Sequence, residues 1–297
     1  MRTTQTATPQ PELREFVRVF HQREITCDAD GFAQANTAVL EQVLAFELKD
    51  RMVLDFPDGR SKPCPGINAW GSLTYPFGGS RFSGYILGFA IFLKPFASWQ
   101  LFRIPPGTIT NIHCDGADLF GRGMQDLWSR LAERATFSER VRVAEAYLRP
   151  YAVNALARTS IMKTAQHMFL RKGTVRIDVL AYHASLSVRQ YERRFAEEMG
   201  LSPKLFARIA RFQMALDAKR NTPARSWLSI AHEYGYFDQM HMIRDFQNLG
   251  GDAPGQVLQQ SGDLQPWSIG SPMTPKELPD PSKRHVFAHN RGFGDPE

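Results

Sequence analysis

The sequence predicts an α+β domain, strands followed by helices, joined to an all-α region with two helix-turn-helix motifs linked by a long helix. Three observations carry this. Runs rich in β-formers crowd the stretch 43–93, and helical text follows them. Two similar stretches, 178–195 and 228–246, each read as a short helix, a tight turn and a second helix. Between them Leu205, Ile209, Phe212 and Leu216 recur at helical spacing. A length of 297 residues favours two domains over one. They are placed at 1–150 and 155–261, with a tail at 262–297.

In chain order, residues 1–10 are polar and are expected to be loose. The stretch 11–21 reads as a short element carrying Leu13, Phe16, Val17 and Phe20. Residues 43–48 and 52–56 read as strands, with Pro57-Asp58-Gly59 as a turn. Residues 73–77 and 81–85 continue the strand text, punctuated by Gly78-Gly79. Tyr85–Leu93 is the strongest candidate for a buried strand. Residues 96–102 look like a short helix closed by Arg103-Ile104-Pro105-Pro106-Gly107, and 121–135 and 138–151 also look helical. The stretch 152–171 reads as a helical bridge into the second half, with Thr159, Lys163, Gln166 and Arg171 on its polar side. After Gly262 the text is rich in Pro, Ser and charge, without apolar period, and disorder is expected. Lys283-Arg284-His285 in that tail reads either as a loose segment or as a further contact to DNA.

The two repeated stretches carry the functional signal. In the first, Ser187 is placed to cap a helix on which Tyr191, Phe195 and Met199 form one apolar stripe. Arg189, Glu192, Arg193 and Ala196 share another face, polar and cationic toward the helix start. Glu192 can equally pair with Arg189 one turn back. Gly200 stops the helix, and Ser202-Pro203 opens the next one. In the second, Ile230, Ala231 and Tyr234 face inward, Gly235 makes the bend and Asp238 is placed to cap. Met242 and Phe246 then lie inward, whereas Gln239, Met240, Ile243, Arg244 and Gln247 lie outward. Arginine and glutamine can pair with base edges in a major groove, and apolar side chains there can meet thymine methyl groups. A helix joining the motifs would set both reading helices on one face of a duplex, about 34 Å apart.

The pattern resembles the DNA-binding domain of AraC/XylS-type transcription regulators over roughly residues 160–260. The matching residues are Leu180-Ala181, Leu186-Ser187, Tyr191, Arg193, Phe195, Gly200, Ser202-Pro203, Arg211, Ala215, Ile230-Ala231, Tyr234-Gly235-Tyr236, Gln239, Arg244-Asp245-Phe246 and Pro254. Two departures stand out. Tyr236-Phe237-Asp238 sits where the family shows Phe-x-Asp or Phe-x-Ser, and Leu249-Gly250-Gly251-Asp252 replaces Phe-Gly-x-Ser. The second departure predicts a looser end to the second reading helix. A shorter stretch, 92–111, is similar to a segment in the N-terminal domains of some AraC-type regulators. The resemblance implies double-stranded operator DNA as partner, read by Arg189, Glu192, Arg193, Gln239, Met240, Ile243, Arg244 and Gln247. It also implies an N-terminal domain that senses a small-molecule effector or forms a homodimer, with RNA polymerase as a further partner and no cofactor.

Composition is consistent with this reading. Net charge is +6, suiting an anionic partner. Lys163, Arg171, Lys172, Lys204, Arg208, Arg211, Lys219 and Arg220 are candidates for phosphate contacts, the alternative for each being a solvated helical face. Cys27, Cys64 and Cys114 have neither metal-motif nor disulfide-scaffold spacing. No apolar run approaches 18 residues and the start lacks a signal-like core, so a cytoplasmic location is expected, with no membrane partner.

Signals for chemistry are sparse. His113-Cys114-Asp115 reads either as a piece of a metal or thiol site or as a strand end. Trp70, Tyr75, Phe77, Tyr85 and Trp99 read either as pocket lining or as core. No enzyme activity is expected. The alternatives are a DNA-associated enzyme carrying this domain as an attachment, and a ligand-independent regulator whose first domain only dimerises.

Overall fold

The computed structural model describes residues 2–27 and 31–260. The expected tail at 262–297, Lys283-Arg284-His285 included, lies outside the described residues. The first half holds ten strands: β1 (Arg2–Ala7), β2 (Val17–Thr26), β3 (Phe32–Ala35), β4 (Gln42–Glu47), β5 (Val53–Asp55), β6 (Ser61–Pro63), β7 (Ile67–Trp70), β8 (Gly79–Phe82), β9 (Tyr85–Leu93) and β10 (His113–Asp115). They form two antiparallel sheets, one of six strands in the order β1-β2-β9-β4-β7-β10, the other in the order β3-β8-β5-β6.

β9 shows why its text is apolar throughout. Phe89, Ile91 and Leu93 face one core, and Ile86, Ala90 and Phe92 face another. Its neighbour β4 does the same, with Leu44 and Phe46 on one side and Val43 and Ala45 on the other. The larger sheet is thus covered on both faces, so alternation with polar residues is lost. One cover is the smaller sheet. The other is helical, built from α1 (Ala97–Phe102), α4 (Gly123–Ala132) and α5 (Phe137–Val153), the short α2 (Pro106–Ile109) and α3 (Gly116–Phe120) lying between them in sequence.

The second half is helical: α6 (Ser160–Leu170), α7 (Ile177–His183), α8 (Val188–Met199), α9 (Pro203–Asn221), α10 (Trp227–Glu233), α11 (Gln239–Gly250) and α12 (Pro254–Gln260). The strands-then-helices plan and the two helix-turn-helix units around one long helix are as the sequence predicts. α9 runs 19 residues, and Phe206, Ile209, Phe212 and Leu216 along it are fully buried.

Several local expectations are corrected. The stretch 1–10 is expected to be loose, but within it residues 2–7 are a strand: β1 pairs in register with β2, Thr3 opposite Glu24 and Ala7 opposite Phe20. An edge strand needs only backbone partners on one side, so polar side chains do not forbid it. Residues 73–77 form no strand. Their amides go instead to Val39 and Asn36 carbonyls and to the Asn111 side chain. The 152–171 bridge is broken: α5 ends at Val153, and Thr159 caps α6 by accepting from Met162 N.

The first half also touches the second through defined bonds. Ala38 N donates to Leu249 O at 2.8 Å, and Thr110 Oγ1 donates to Met199 O at 3.0 Å. Gln213 on α9 accepts from Leu40 N and donates to Glu41 Oε2 at 2.7 Å. Ala38, Leu40 and Phe96 join the core of the helical half.

Candidate nucleic-acid interface

The two helix-turn-helix units are built by the same backbone device. In the first, Leu186 N donates to Ala181 O at 3.0 Å, and Ser185 takes the left-handed conformation at φ 56°. In the second, Tyr236 N donates to Ala231 O at the same 3.0 Å, and Gly235 is left-handed at φ 70°. Both helices therefore end in the turn that satisfies their last carbonyls. Ala181 and Ala231 are buried at 1 % exposure, where α7 and α10 press on the core.

The second helix of each unit is anchored from beneath. Tyr191, Phe195 and Met199 are buried on α8, and Met242 and Phe246 on α11. Ser187 closes a capping box with Gln190, and Asp238 accepts from His241 N at 2.6 Å. These caps hold the N-terminal turns, the region of a reading helix that meets bases. The turns differ in length by one residue. Ser187 follows Leu186 directly, whereas Phe237 intervenes between Tyr236 and Asp238.

The outward faces fall as the periodicity implies. Arg189, Arg193, Gln239, Met240, Arg244 and Gln247 are exposed, while Glu192 and Ile243, at equivalent positions, are half-buried. Arg193 and Arg244 also occupy equivalent positions, counted from the two caps. Arg193 pairs with Glu197 one turn on, at 3.6 Å. Both partners are more than half exposed, so the pair is weak and can be exchanged for a phosphate or base edge.

The candidate phosphate contacts divide. Lys163, Arg171 and Lys204 are exposed. Four others are engaged internally. Lys172 pairs with Glu233 at 2.8 Å, and Arg208 with Asp245 at 2.8 Å. Arg211 stacks on the Tyr236 ring and donates to Gly235 O, and Lys219 donates to the carbonyls of Pro223 and Arg225. These cations tie the second unit to α9 and to the first unit's flank. Their partners lie on other elements, so helical spacing could not reveal them. Arg220 is half-buried.

The end of α11 is not loose. Gly251 is left-handed at φ 88° and its N–H returns to Gln247 O. A side chain at Gly250 would meet Val257 of α12 at 2.7 Å, so the unusual Gly-Gly pair allows close packing there. Sequence reading did not single out Phe237 as a site residue, although it is 88 % exposed. Its position in a turn gives it no period to be read from.

His113 Nε2 lies 2.8 Å from Asn68 Oδ1, and burial pulls its pKa down to about 4. Burial, with Asp115 beside it, pushes the Cys114 thiol up, away from a reactive thiolate. Among the described residues no group of three metal-ligating side chains comes together. No described helix is long and apolar enough to cross a membrane. Of the five aromatic residues considered for a pocket, Trp70 lines a cavity of about 20 Å3 between the sheets. Tyr75 and Tyr85 are partly exposed, Phe77 packs edge-on against Phe56, and Trp99 packs against the helical half. The cavity wall is mixed: Val39, Val43, Met52 and Leu73 beside Asn36 and Glu41. Near it Arg23 and Glu47 form a buried pair at 3.2 Å, and a side chain at Gly88 would fall 3.1 Å from Arg23 Nε.

Residues 180–260 match the family model described as a helix-turn-helix domain, of AraC type. No curated protein matches the chain. Among solved structures, an apo variant of ToxT from Vibrio cholerae strain SCE256 aligns with a TM-score of 0.50 at 12% identity, covering 82% of this chain and 98% of that one. ToxT from Vibrio cholerae O395 aligns with a TM-score of 0.47 at 9% identity, covering 88% and 98%. Wild-type ToxT from strain SCE256 with a bound unsaturated fatty acid gives 0.47 at 9% identity, covering 87% and 95%. The first of these shows a shared two-domain fold.

Proposed function

We propose that this chain, whose residues 180–260 form an AraC-type helix-turn-helix domain, is a sequence-specific DNA-binding transcription regulator. The observation that supports it most is the pairing of two capped reading helices about one 19-residue helix, with an exposed arginine at the same place in each. At helical rise that connector is roughly 28 Å long, comparable to one turn of duplex. Arg189, Glu192, Arg193, Gln239, Met240, Ile243, Arg244 and Gln247 are the proposed base-facing set. Lys163, Arg171 and Lys204 supply salt-dependent phosphate contacts. The DNA-binding domain spans residues 155–261, and the regulatory domain spans residues 1–150.

The regulatory domain takes a small-molecule effector between its sheets. Support comes from the mixed apolar and polar lining, the composition usual for such sites. Trp70 Nε1 and Asn36 Nδ2 are buried there with no hydrogen-bond acceptor among the described residues. The cavity has room for about one ordered water, so an effector must push the walls apart.

The test is selection of bound sequences from random duplex DNA, followed by footprinting with Arg193→Ala and Arg244→Ala. Each variant is expected to keep its fold and to lose affinity by about 5- to 150-fold, the equivalent of 1–3 kcal/mol for one bidentate base contact. Unchanged footprints for both would remove the assignment.

A further inference from the structure

The two reading helices are alike in backbone and unlike in chemistry. α8 opens on Val188 and Arg189 and carries Arg193 and Arg194 outward. α11 opens on Gln239 and Met240, and the position equivalent to Glu192 is Ile243. The turn before α11 holds one residue more than the turn before α8, and that residue is Phe237. At 88 % it is the most exposed large apolar side chain among the described residues, and Met240, three positions on, is 55 % exposed. A ring of that size left in water forgoes about 1.5–3 kcal/mol of burial, so folding of the chain alone gives it nothing.

The immediate surroundings hold Phe237 in place rather than leave it to wander. Its N–H points to His241 Nδ1, Asp238 caps the helix at its side, and Tyr236 before it is buried. It therefore projects from a fixed point at the N-terminal end of a reading helix, the end that approaches bases. In the major groove the apolar feature on offer is the 5-methyl group of thymine.

Resting on the DNA-binding reading above, we propose that Phe237, with Met240, reads thymine by its methyl group. The operator is accordingly asymmetric: the half-site under α8 is read by arginine on guanine edges, and the half-site under α11 adds to the contacts of Arg244 an apolar contact on thymine. Phe237 is a specificity-determining residue that the outward periodicity of α11 does not include.

The experiment uses the full chain and a duplex obtained by selection. Loss of protection with Arg244→Ala identifies the half-site under α11. Each thymine there is replaced in turn by deoxyuridine, which removes the methyl group and nothing else. At one or more positions the wild-type chain is expected to bind the uridine duplex about fourfold more weakly, the worth of one buried methyl. At one or more of those positions Phe237→Ala is expected to bind the thymine and uridine duplexes alike, with the salt dependence of binding unchanged, and Phe237→Leu to restore some of the discrimination. Its exposure means that the alanine variant keeps the wild-type melting curve, which circular dichroism checks. Equal binding of thymine and uridine duplexes by the wild type overturns the inference while leaving the DNA-binding reading intact, as does discrimination retained at every position in Phe237→Ala. Failure to select any duplex overturns both.

Discussion

At the scale of single residues, the most informative side chains are polar groups buried without a partner. Tyr236 is 3 % exposed, its ring stacks under the Arg211 guanidinium at 5.4 Å, and its hydroxyl has no hydrogen-bond partner among the described residues. Burial pushes that hydroxyl's pKa upward. The ring holds the turn before α11 and the oxygen contributes nothing, so Tyr236→Phe is expected to match or exceed wild-type stability by about 1 kcal/mol. Urea unfolding measures this, and a loss of that size would show that the hydroxyl is bonded. Asp217 on α9 is a second case, at the junction of the two halves. Burial raises its carboxyl well above the ordinary range, Arg220 and Arg18 oppose that shift, and Glu41 adds to it. A carboxyl raised in the folded state contributes most below its unfolded pKa near 4, and that contribution is lost as pH rises. Asp217→Asn should therefore unfold at higher temperature than wild type at pH 7, with the difference shrinking toward pH 4. One buried oxygen without a bond costs about 1–3 kcal/mol, which bounds the gain. A constant difference across that range, followed by thermal denaturation, would place its cause elsewhere.

At the scale of elements, legibility follows the kind of force that makes each one. Helices with an apolar stripe and a side-chain cap are readable from the sequence: Ser187, Ser202 and Asp238 all cap as their spacing implies. β9 is readable because both of its faces are buried. β1 is not, since an edge strand of polar residues is held by its neighbour's backbone alone. The short β3, β6 and β10 offer three or four residues each, too few for a period of two to stand out. The same division holds for the interface. Outward residues on α8 and α11 are indicated by period: Arg189, Arg193, Gln239, Met240, Arg244 and Gln247 are exposed, while Glu192 and Ile243 are half-buried. The cations that prove to be internal ties, such as Lys172 on Glu233, depend on residues 61 positions apart and carry no local mark. Phe237 lies in a turn, and its exposure follows from one extra residue whose effect only the three-dimensional course of the chain displays.

At the scale of the whole molecule, three of the contacts by which the first half grips the second fall at the ends and the middle of the reading apparatus. Thr110 donates to the last turn of α8, Ala38 donates to the last turn of α11, and Gln213 ties α9 to Leu40 and Glu41. The short segment that makes two of these contacts has two faces. Ala38 and Leu40 enter the helical core, while Val39 and Glu41 line the cavity between the sheets. Residues of the cavity wall are thus immediate chain neighbours of residues that hold α9 and α11. The third grip is testable by itself, because Gly107 approaches the end of α8 so closely that a Cβ would lie 2.8 Å from Glu197 O and 3.0 Å from Gly200 N. Backbone atoms cannot give way as a flexible side chain can, so Gly107→Val must separate α2 from α8. Both halves keep their own cores. The orientation of α8 relative to α11 then loses its brace at α2 and rests on α9 and on the ties between the two units, such as Lys172 on Glu233. The wild-type chain should discriminate strongly between its selected duplex and one with a single base pair inserted between the half-sites. Gly107→Val should bind the selected duplex more weakly and discriminate less, by about tenfold if 1.4 kcal/mol of the spacing preference resides in the brace. Gel-shift titration of both duplexes measures the ratio. A ratio unchanged from wild type would mean that α9 and the remaining ties set the spacing, and that the contact at Gly107 has no role in how the reading helices are held.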